Sequence, residues 1–325
     1  MKRSTSENIK GKTAEKLSRL DTDIELRQKI LPLCRLKNGK IWNDPKGKHK
    51  VGVLDATSLT DVKKLFGKKK AQLVINDPPY NVLVGKANSR NLSQVDVKDY
   101  IYFSRLWISN MLSIMDNNSS LYIWLGADQR DGFQPLPEFM IMMRDFKELK
   151  ARSFITMRNQ RGYGTQKNWM SVRQELLYYI KGKPVFNVTY TEIPKILGGY
   201  YKEVNGKVTD NFERSKSGFI RPGNVWVDIQ QVFYRMEENV PGAYAQKPLK
   251  SIKRIIEASS EKSNLVADFF SHSGVTLLAS EMLGRKCYAM EIDPVFAELS
   301  IRRLEHFRKT GKTGWQWSNP FPEIE

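Results

Sequence analysis

The run Asn76-Asp77-Pro78-Pro79-Tyr80-Asn81 directly follows the apolar stretch Leu73-Val74-Ile75. It sets a carboxylate, a rigid carbonyl and an aromatic ring side by side. Pro78 and Pro79 fix φ and remove two amide donors. The Pro78 carbonyl is then left to accept a hydrogen bond outside a sheet. In an open α/β sheet, ligands sit beyond the carboxyl ends of the strands, which is where Asp77 would lie. Asp77 and the Pro78 carbonyl can accept the two hydrogens of an amino group on a flat ring, while Tyr80 stacks on the ring face. A bare Asp-Pro-Pro is more often a capped turn. Its place after a buried strand and before Tyr-Asn favours the site.

A second stretch, Leu265-Val266-Ala267-Asp268-Phe269-Phe270-Ser271-His272-Ser273-Gly274-Val275-Thr276, reads as a strand running through a small-residue turn into a helix. That geometry presents backbone amides and a helix N-terminus to an anionic group. No GxGxxG is present, so the signal is modest alone. The following strand ends in Glu291-Ile292-Asp293-Pro294. A carboxylate about 20 residues beyond such a turn is the usual partner of ribose hydroxyls. A third stretch, Gln246-Lys247-Pro248, opens a helical pattern, with Pro248 suited to a first turn. By itself it is an ordinary solvated helix start.

These groups need a scaffold, and the chain is long enough to supply one. It has 325 residues, 40% of them hydrophobic, enough for one large domain or a domain with an insertion. Its net charge of +18 favours a polyanionic partner. The positive charge is concentrated in the first half, while residues 183–240 are nearly balanced. The two cysteines, Cys34 and Cys287, form no CxxC pair, which argues against a disulfide framework or a cysteine-based zinc finger and for a reducing compartment. No apolar run approaches the span of a bilayer, and the first residues lack a secretory h-region. The expected location is cytoplasmic.

Short β-type runs occur at Lys50–Leu54, Gln72–Asn76, Ser120–Leu125, Arg152–Met157, Glu175–Ile180, Asn264–Phe269 and Lys286–Ile292. Helical spacing appears at Val97–Met115, Gln246–Ala258, Thr276–Leu283 and Pro294–Phe307, and again over Thr13–Leu33. This alternation predicts a mostly parallel sheet covered by helices on both faces. Residues 183–240, rich in glycine and aromatics, read as an insertion with loops and short strands. Residues 81–96 read as a mobile polar loop, and most of residues 1–49 as a basic arm.

Together, and in this order, the three stretches resemble the β-class amino-DNA methyltransferases, which use S-adenosylmethionine. Their pattern is a DPPY motif first, a target-recognition insertion in the middle and the cofactor motif near the C-terminus. The resemblance extends over roughly residues 50–310. It implies a Rossmann-like methyltransferase fold: a mostly parallel seven-stranded sheet with helices on both faces, in circularly permuted motif order. The implied division is a basic extension over 1–49, a catalytic half over 50–182, a target-recognition insertion over 183–240 and a cofactor-binding half over 241–325.

Carried over residue by residue, Asp77 and Pro78 hold the target amino group, Pro79 belongs to the same catalytic motif and Tyr80 stacks. The cofactor set is Asp268, Phe269, Phe270, Ser271, His272, Ser273, Gly274 and Thr276, with Glu291 and Ile292 at the ribose, Asp55 and Ala56 near the adenine, Asp77 beside the donor and Lys247 near the methionine end. Asn224-Val225-Trp226 resembles the segment that closes the insertion. His272 stands where the family has glycine, Phe269 where it has proline and Val275 where it has threonine. Histidine takes φ > 0 only at a cost, so the loop either changes path, brings the imidazole into the pocket, or binds cofactor less well.

The implied reaction is methyl transfer to the exocyclic amine of adenine in a base extruded from double-stranded DNA, with no metal and no covalent enzyme intermediate. An ordinary aspartate is a weak base near neutral pH, so Asp77 is assigned to orientation and charge stabilisation. Lys68, Lys69, Lys70, Arg152, Arg158, Arg161, Lys167 and Arg173 are candidate phosphate contacts. Tyr200, Tyr201, Arg214, Lys216 and Arg221 are candidates from the insertion. Methylation at a cytosine ring carbon needs a Pro-Cys nucleophile, absent here. Cytosine N4, an RNA target, or a nucleic-acid-binding homologue impaired by His272 are the alternatives. A nicotinamide-dependent enzyme is disfavoured by the missing GxGxxG. A cognate restriction endonuclease and a homodimer are the further partners the resemblance implies, with no role at a membrane.

Overall fold

The computed structural model describes residues 17–79, 96–126, 135–163, 166–167, 169–196, 199–212 and 217–324. The central sheet is built from β1 (Ile41–Asn43), β2 (His49–Val53), β3 (Ala71–Asn76), β4 (Met115–Leu125), β5 (Lys150–Tyr163), β6 (Ser171–Lys181), β9 (Val225–Trp226), β10 (Leu265–Asp268) and β11 (Lys286–Glu291). Their order is β1-β2-β11-β10-β3-β4-β6-β5-β9. Strands β2, β11, β10, β3 and β4 run parallel to one another, and β6 runs antiparallel between β4 and β5. The expected seven strands are all present. The sheet nevertheless has nine, because the three-residue β1 forms an antiparallel hairpin with β2 and the two-residue β9 joins β5.

Side chains alternate across the central strands, as the two-residue period of a strand requires. Val74, Leu121, Ile123 and Ala267 face one layer, with Val62, Leu65 and Phe66 of α2 (Leu59–Phe66), Tyr100, Trp107 and Met111 of α3 (Val97–Leu112), and Phe139 and Met142 of α4 (Pro135–Met143). Leu73, Ile75, Tyr122, Trp124 and Val266 face the other. They pack on Ile252, Ile255 and Ile256 of α5 (Leu249–Ser259) and Leu278 of α6 (Val275–Met282). Both faces are therefore covered, and α7 (Pro294–Thr310) packs with α6 over β2 and β11.

The N-terminal segment departs from expectation. Of the span 13–33, only α1 (Ile24–Ile30) is α-helical among the described residues, because Asp23 caps it by accepting from the Leu26 amide at 3.0 Å. Residues 17–49 are not a free arm. Leu20 and Ile30 are fully buried against Val240, Val295, Phe296, Leu299 and Phe321. Within the insertion, β7 (Gly199–Val204) and β8 (Lys207–Phe212) form a separate hairpin. Its Asn205-Gly206 turn has φ of +54° and +74°, the handedness that suits a two-residue hairpin loop. The end of the insertion is integral to the main body, since Trp226 and Ile229 lie in the core.

A buried polar network locks the β1–β2 edge to α6 and α7. The His49 ring accepts at Nδ1 from the Cys287 amide at 3.0 Å, so Nε2 carries the hydrogen and donates to Glu281 at 2.9 Å. Arg308 donates to Glu281 at 2.7 Å and in bidentate fashion to Asp44 at 2.7 and 2.9 Å. Burial raises the Glu281 carboxyl, but bonds from Arg308 and His49 outweigh it and hold the group at about 2. Removing the cation strips the bidentate partner from buried Asp44 and leaves Glu281 with His49 and the more distant Lys48. Arg308→Met is therefore expected to lower unfolding free energy by about 3 kcal/mol in urea melts near neutral pH. Because the folded-state Glu281 value is depressed, its stabilisation is present above pH 4.5 and fades as the pH falls towards about 2. A wild-type stability flat over that acid window would contradict the assignment.

Candidate active site

Parallel pairing brings the strand ends to one edge. Val53 lies beside Glu291, Asp268 beside Ala289, Val74 beside Ala267, and Asn76 beside Ile123. Asp77, Asp268, Glu291 and Asp55 consequently emerge from neighbouring strands on the same side. One cavity there is lined by Asp77, Trp124, Lys247, Asp268, the Phe270–Ser273 turn and Thr276. A larger cleft of about 520 Å³, between α5 and the 189–192 and 236–238 segments, contains Lys250, Lys253 and Arg254 but, apart from the α5 start, none of the neighbourhood of these residues.

Lys247 is buried, and its Nζ forms an ion pair with Asp77 Oδ2 at 2.8 Å. The same ammonium lies 5.4 Å from the centre of the Trp124 ring. Sequence comparison placed Lys247 near a cofactor; the structure joins it to the proposed base-holding carboxylate. Glu238 fixes the start of α5, accepting from the Leu249 amide at 2.7 Å. Gln246 does not face the cavity group: its amide bonds to the Val240 backbone at both ends and to the Ala243 carbonyl. Pro78 is buried and Pro79 partly so.

The 268–276 turn is held from several directions. Asn76 Oδ1 accepts from the Phe269 amide at 3.0 Å, tying β3 to β10. Asp268 accepts from the Phe270 amide at 2.9 Å, and burial pushes its carboxyl up to about 7. Glu291 accepts from the His272 and Asp293 amides at 2.8 and 3.1 Å; burial raises it, too, to about 7. His272 adopts φ +44°. The turn thus keeps a left-handed residue at this position, and the imidazole joins the cavity lining while packing 4.5 Å from the Phe296 ring. Burial lowers the imidazole to about 4, so it is neutral near pH 7.

Three residues outside the sequence-derived set complete this support. Ser300 donates to the His272 carbonyl at 2.9 Å. The buried Arg303 donates to the carbonyls of Ser273, Thr313 and Glu238 at 3.0, 2.8 and 2.9 Å. Trp124 supplies a wall of the cavity. An arginine on the otherwise apolar stripe of α7 was the available signal for Arg303. Nearby, Asp55 accepts from the Thr57 amide and hydroxyl at 2.8 and 2.7 Å, and Asn110 donates to the Ala56 carbonyl at 3.0 Å. Ile292 is exposed beside Glu291.

The basic candidates divide. Lys68, Lys69 and Lys70 precede β3 and lie at its amino end, a strand length of about 20 Å from Asp77. Arg152 is likewise at the amino end of β5. Arg158 and Arg173 face each other near the carboxyl edge, Lys167 lies in the following turn, and Arg221 is exposed before β9. Tyr80, Arg214 and Lys216 lie outside the described residues; for Arg161, Tyr200 and Tyr201 only the backbone strand is described.

The sheet with helices on both faces and the turn that follows β10 define an α/β fold whose acidic strand ends share one edge. A family model of the N6/N4 methyltransferases, described as DNA methylase, matches residues 71–302. Type II methyltransferase M1.MboII of Moraxella bovis is 30% identical over 253 residues, covering 73% of this chain and 91% of that protein. DNA adenine methyltransferase YhdJ of Escherichia coli K12 is 26% identical, covering 78% and 82%. The solved structure of the cytosine-N4-specific PvuII DNA methyltransferase shares the fold with a TM-score of 0.55 at 15% identity, covering 78% of this chain and 85% of that one. The chain belongs to the N6/N4 amino-DNA methyltransferase family.

Gly274 makes the closest backbone approach in the turn. Its φ is +72°, and a Cβ there would stand 2.8 Å from Ser300 Cα. Gly274→Ala is expected to lower the unfolding free energy by about 2 kcal/mol, seen as a lower urea midpoint at an unchanged slope. An unaltered midpoint would refute this packing.

Proposed function

We propose that the protein transfers a methyl group from S-adenosylmethionine to N6 of an adenine extruded from double-stranded DNA. The observation that carries this reading is the shared cavity: Asp77, Lys247 and the 268–276 turn line one space. The residues fit the cofactor class. The turn lines the cavity from Phe270 to Ser273, and Asp268 and Glu291 present carboxylates at adjacent strand ends. The bound cofactor supplies an electrophilic methyl group on a sulfonium.

The remaining work falls to the chain's own groups. An exocyclic amine donates poorly while its lone pair is delocalised into the ring. Asp77 and the Pro78 carbonyl accept its hydrogens and turn the lone pair towards the donor. Lys247 fixes the Asp77 carboxylate through Oδ2, and Trp124 supports Lys247. Alignment of this kind is worth roughly 7–11 kcal/mol of barrier. Extrusion of the base costs a few kcal/mol, about what phosphate contacts return. Asp77 favours adenine over cytosine N4, since the cytosine enzymes of the family more often carry serine there. His272 keeps the left-handed turn, which supports a working cofactor loop.

Asp77→Ala is expected to cut methyl transfer at least about a hundredfold. Nucleoside mass spectrometry of treated DNA checks both rate and base: N6-methyladenine supports the reading, N4-methylcytosine overturns its base, and undiminished transfer overturns the role of Asp77. A second expectation concerns pH. With Glu291 raised to about 7, its ionised, ribose-accepting form grows with alkalinity. Calorimetric cofactor affinity should rise up to about tenfold between roughly pH 6 and 8, and Glu291→Gln should lessen that dependence, leaving the part that follows Asp268. An equally steep profile in the variant would exclude Glu291 as a titrating group.

A further inference from the structure

The β5–β6 hairpin runs beyond the sheet on the side of the site. Leu125, the last residue of β4, pairs with Glu175, and Glu175 with Thr156. Residues Ser171–Gln174 and those from Met157 onward therefore project past the carboxyl edge that carries Asp77. Four further residues of strand extend about 13 Å. At the far end stand Trp169, 93% exposed, and Met170, 60% exposed.

Two features make this tip more than a scattered apolar surface. Its base is stiff: Glu175, fully buried, accepts from Thr156 Oγ1 at 2.7 Å and pairs with Arg173 at 2.9 Å. Its flanks are basic: Lys167 is exposed in the turn, and Arg158 lies directly across from Arg173. Glu175 balances the charge of Arg173, so an anion lying over the hairpin meets the exposed cations Arg158 and Lys167. An apolar wedge flanked by cations, placed ahead of a base-accepting cavity, matches duplex DNA, where inserted apolar side chains unstack base steps.

We propose that Trp169, with Met170 beside it, is a wedge that enters the base stack of double-stranded DNA where the target base departs, while Arg158, Lys167 and Arg173 hold the flanking phosphates. This rests on the reading of the protein as a DNA methyltransferase. The wedge acts on the duplex and not on the chemical step. Its loss should therefore separate paired from unpaired substrate.

The test uses the full chain and unmethylated genomic DNA, offered as duplex or heat-denatured. Trp169→Ala should lower methyl transfer to the duplex about tenfold and leave transfer to denatured DNA within about twofold, with Trp169→Phe retaining most duplex activity. Equal losses on both forms, or none on the duplex, overturn the wedge. A second readout does not need turnover. Indole emission of the wild type should be quenched on adding sonicated duplex by an increment missing from Trp169→Phe. Equal quenching in the two proteins, with both retained on DNA filters, overturns the proposal. So does an emission change that follows protein concentration without DNA, since it assigns the tip to a second copy. If the wild type methylates neither form, the catalytic reading fails, and the emission difference still decides the wedge.

Discussion

The ion pair between Lys247 and Asp77 joins the two halves of the chain at the point where chemistry is proposed. Asp77 ends a strand near the beginning of the sequence, and Lys247 opens a helix well past the insertion. At 2.8 Å the pair can form only if β3, the start of α5 and the turn after β10 are all in register. Register comes from the alternating faces of β3 and β4 and from Asn76, which bonds across to the Phe269 amide. Asp77 and the turn after β10 are thereby built as one object on a shared sheet edge.

The seven strands and four of the helices were legible because their apolar periods are undiluted. Helices α2 and α4 were not: α2 is short and lysine-rich, and α4 begins with Pro135-Leu136-Pro137. The burial of Leu20 and Ile30 could not be read from a stretch that carries 14 basic residues in its first fifty, because their partners lie on α7 and near the C-terminus. The separate segments of the site were recognisable from local motifs. Their cross-connections through Lys247, Asn76, Ser300 and Arg303 were not, since each is a contact between elements far apart in sequence. Lysines 68–70 show the same limit from the other side. Composition marks a basic run, but only strand direction says which edge of the sheet it occupies.

His272 illustrates how a departure from a motif is absorbed. A non-glycine residue at positive φ carries a cost of about 1 kcal/mol or more. Here the amide of His272 is bonded to Glu291, its carbonyl to Ser300, and its ring packs on Phe296. The histidine is held at positive φ by contacts from β11 and α7. The imidazole is neutral where a cationic donor would bind, which avoids charge repulsion in the pocket.

The strand order carries a consequence for biosynthesis. Strands β2 and β3 are made early and are neighbours in sequence, yet in the sheet β11 and β10 lie between them. A ribosome-bound chain holding only its first 260 or so residues has its two earliest parallel strands waiting, each with an open ladder of amides and carbonyls and an apolar face. Closing the middle of the sheet requires the last strands to slot between the first. Such late, non-local pairing slows folding and leaves nascent edges open to wrong partners. The strand order thus leaves the N-terminal half of the sheet to be completed only when the C-terminal strands emerge.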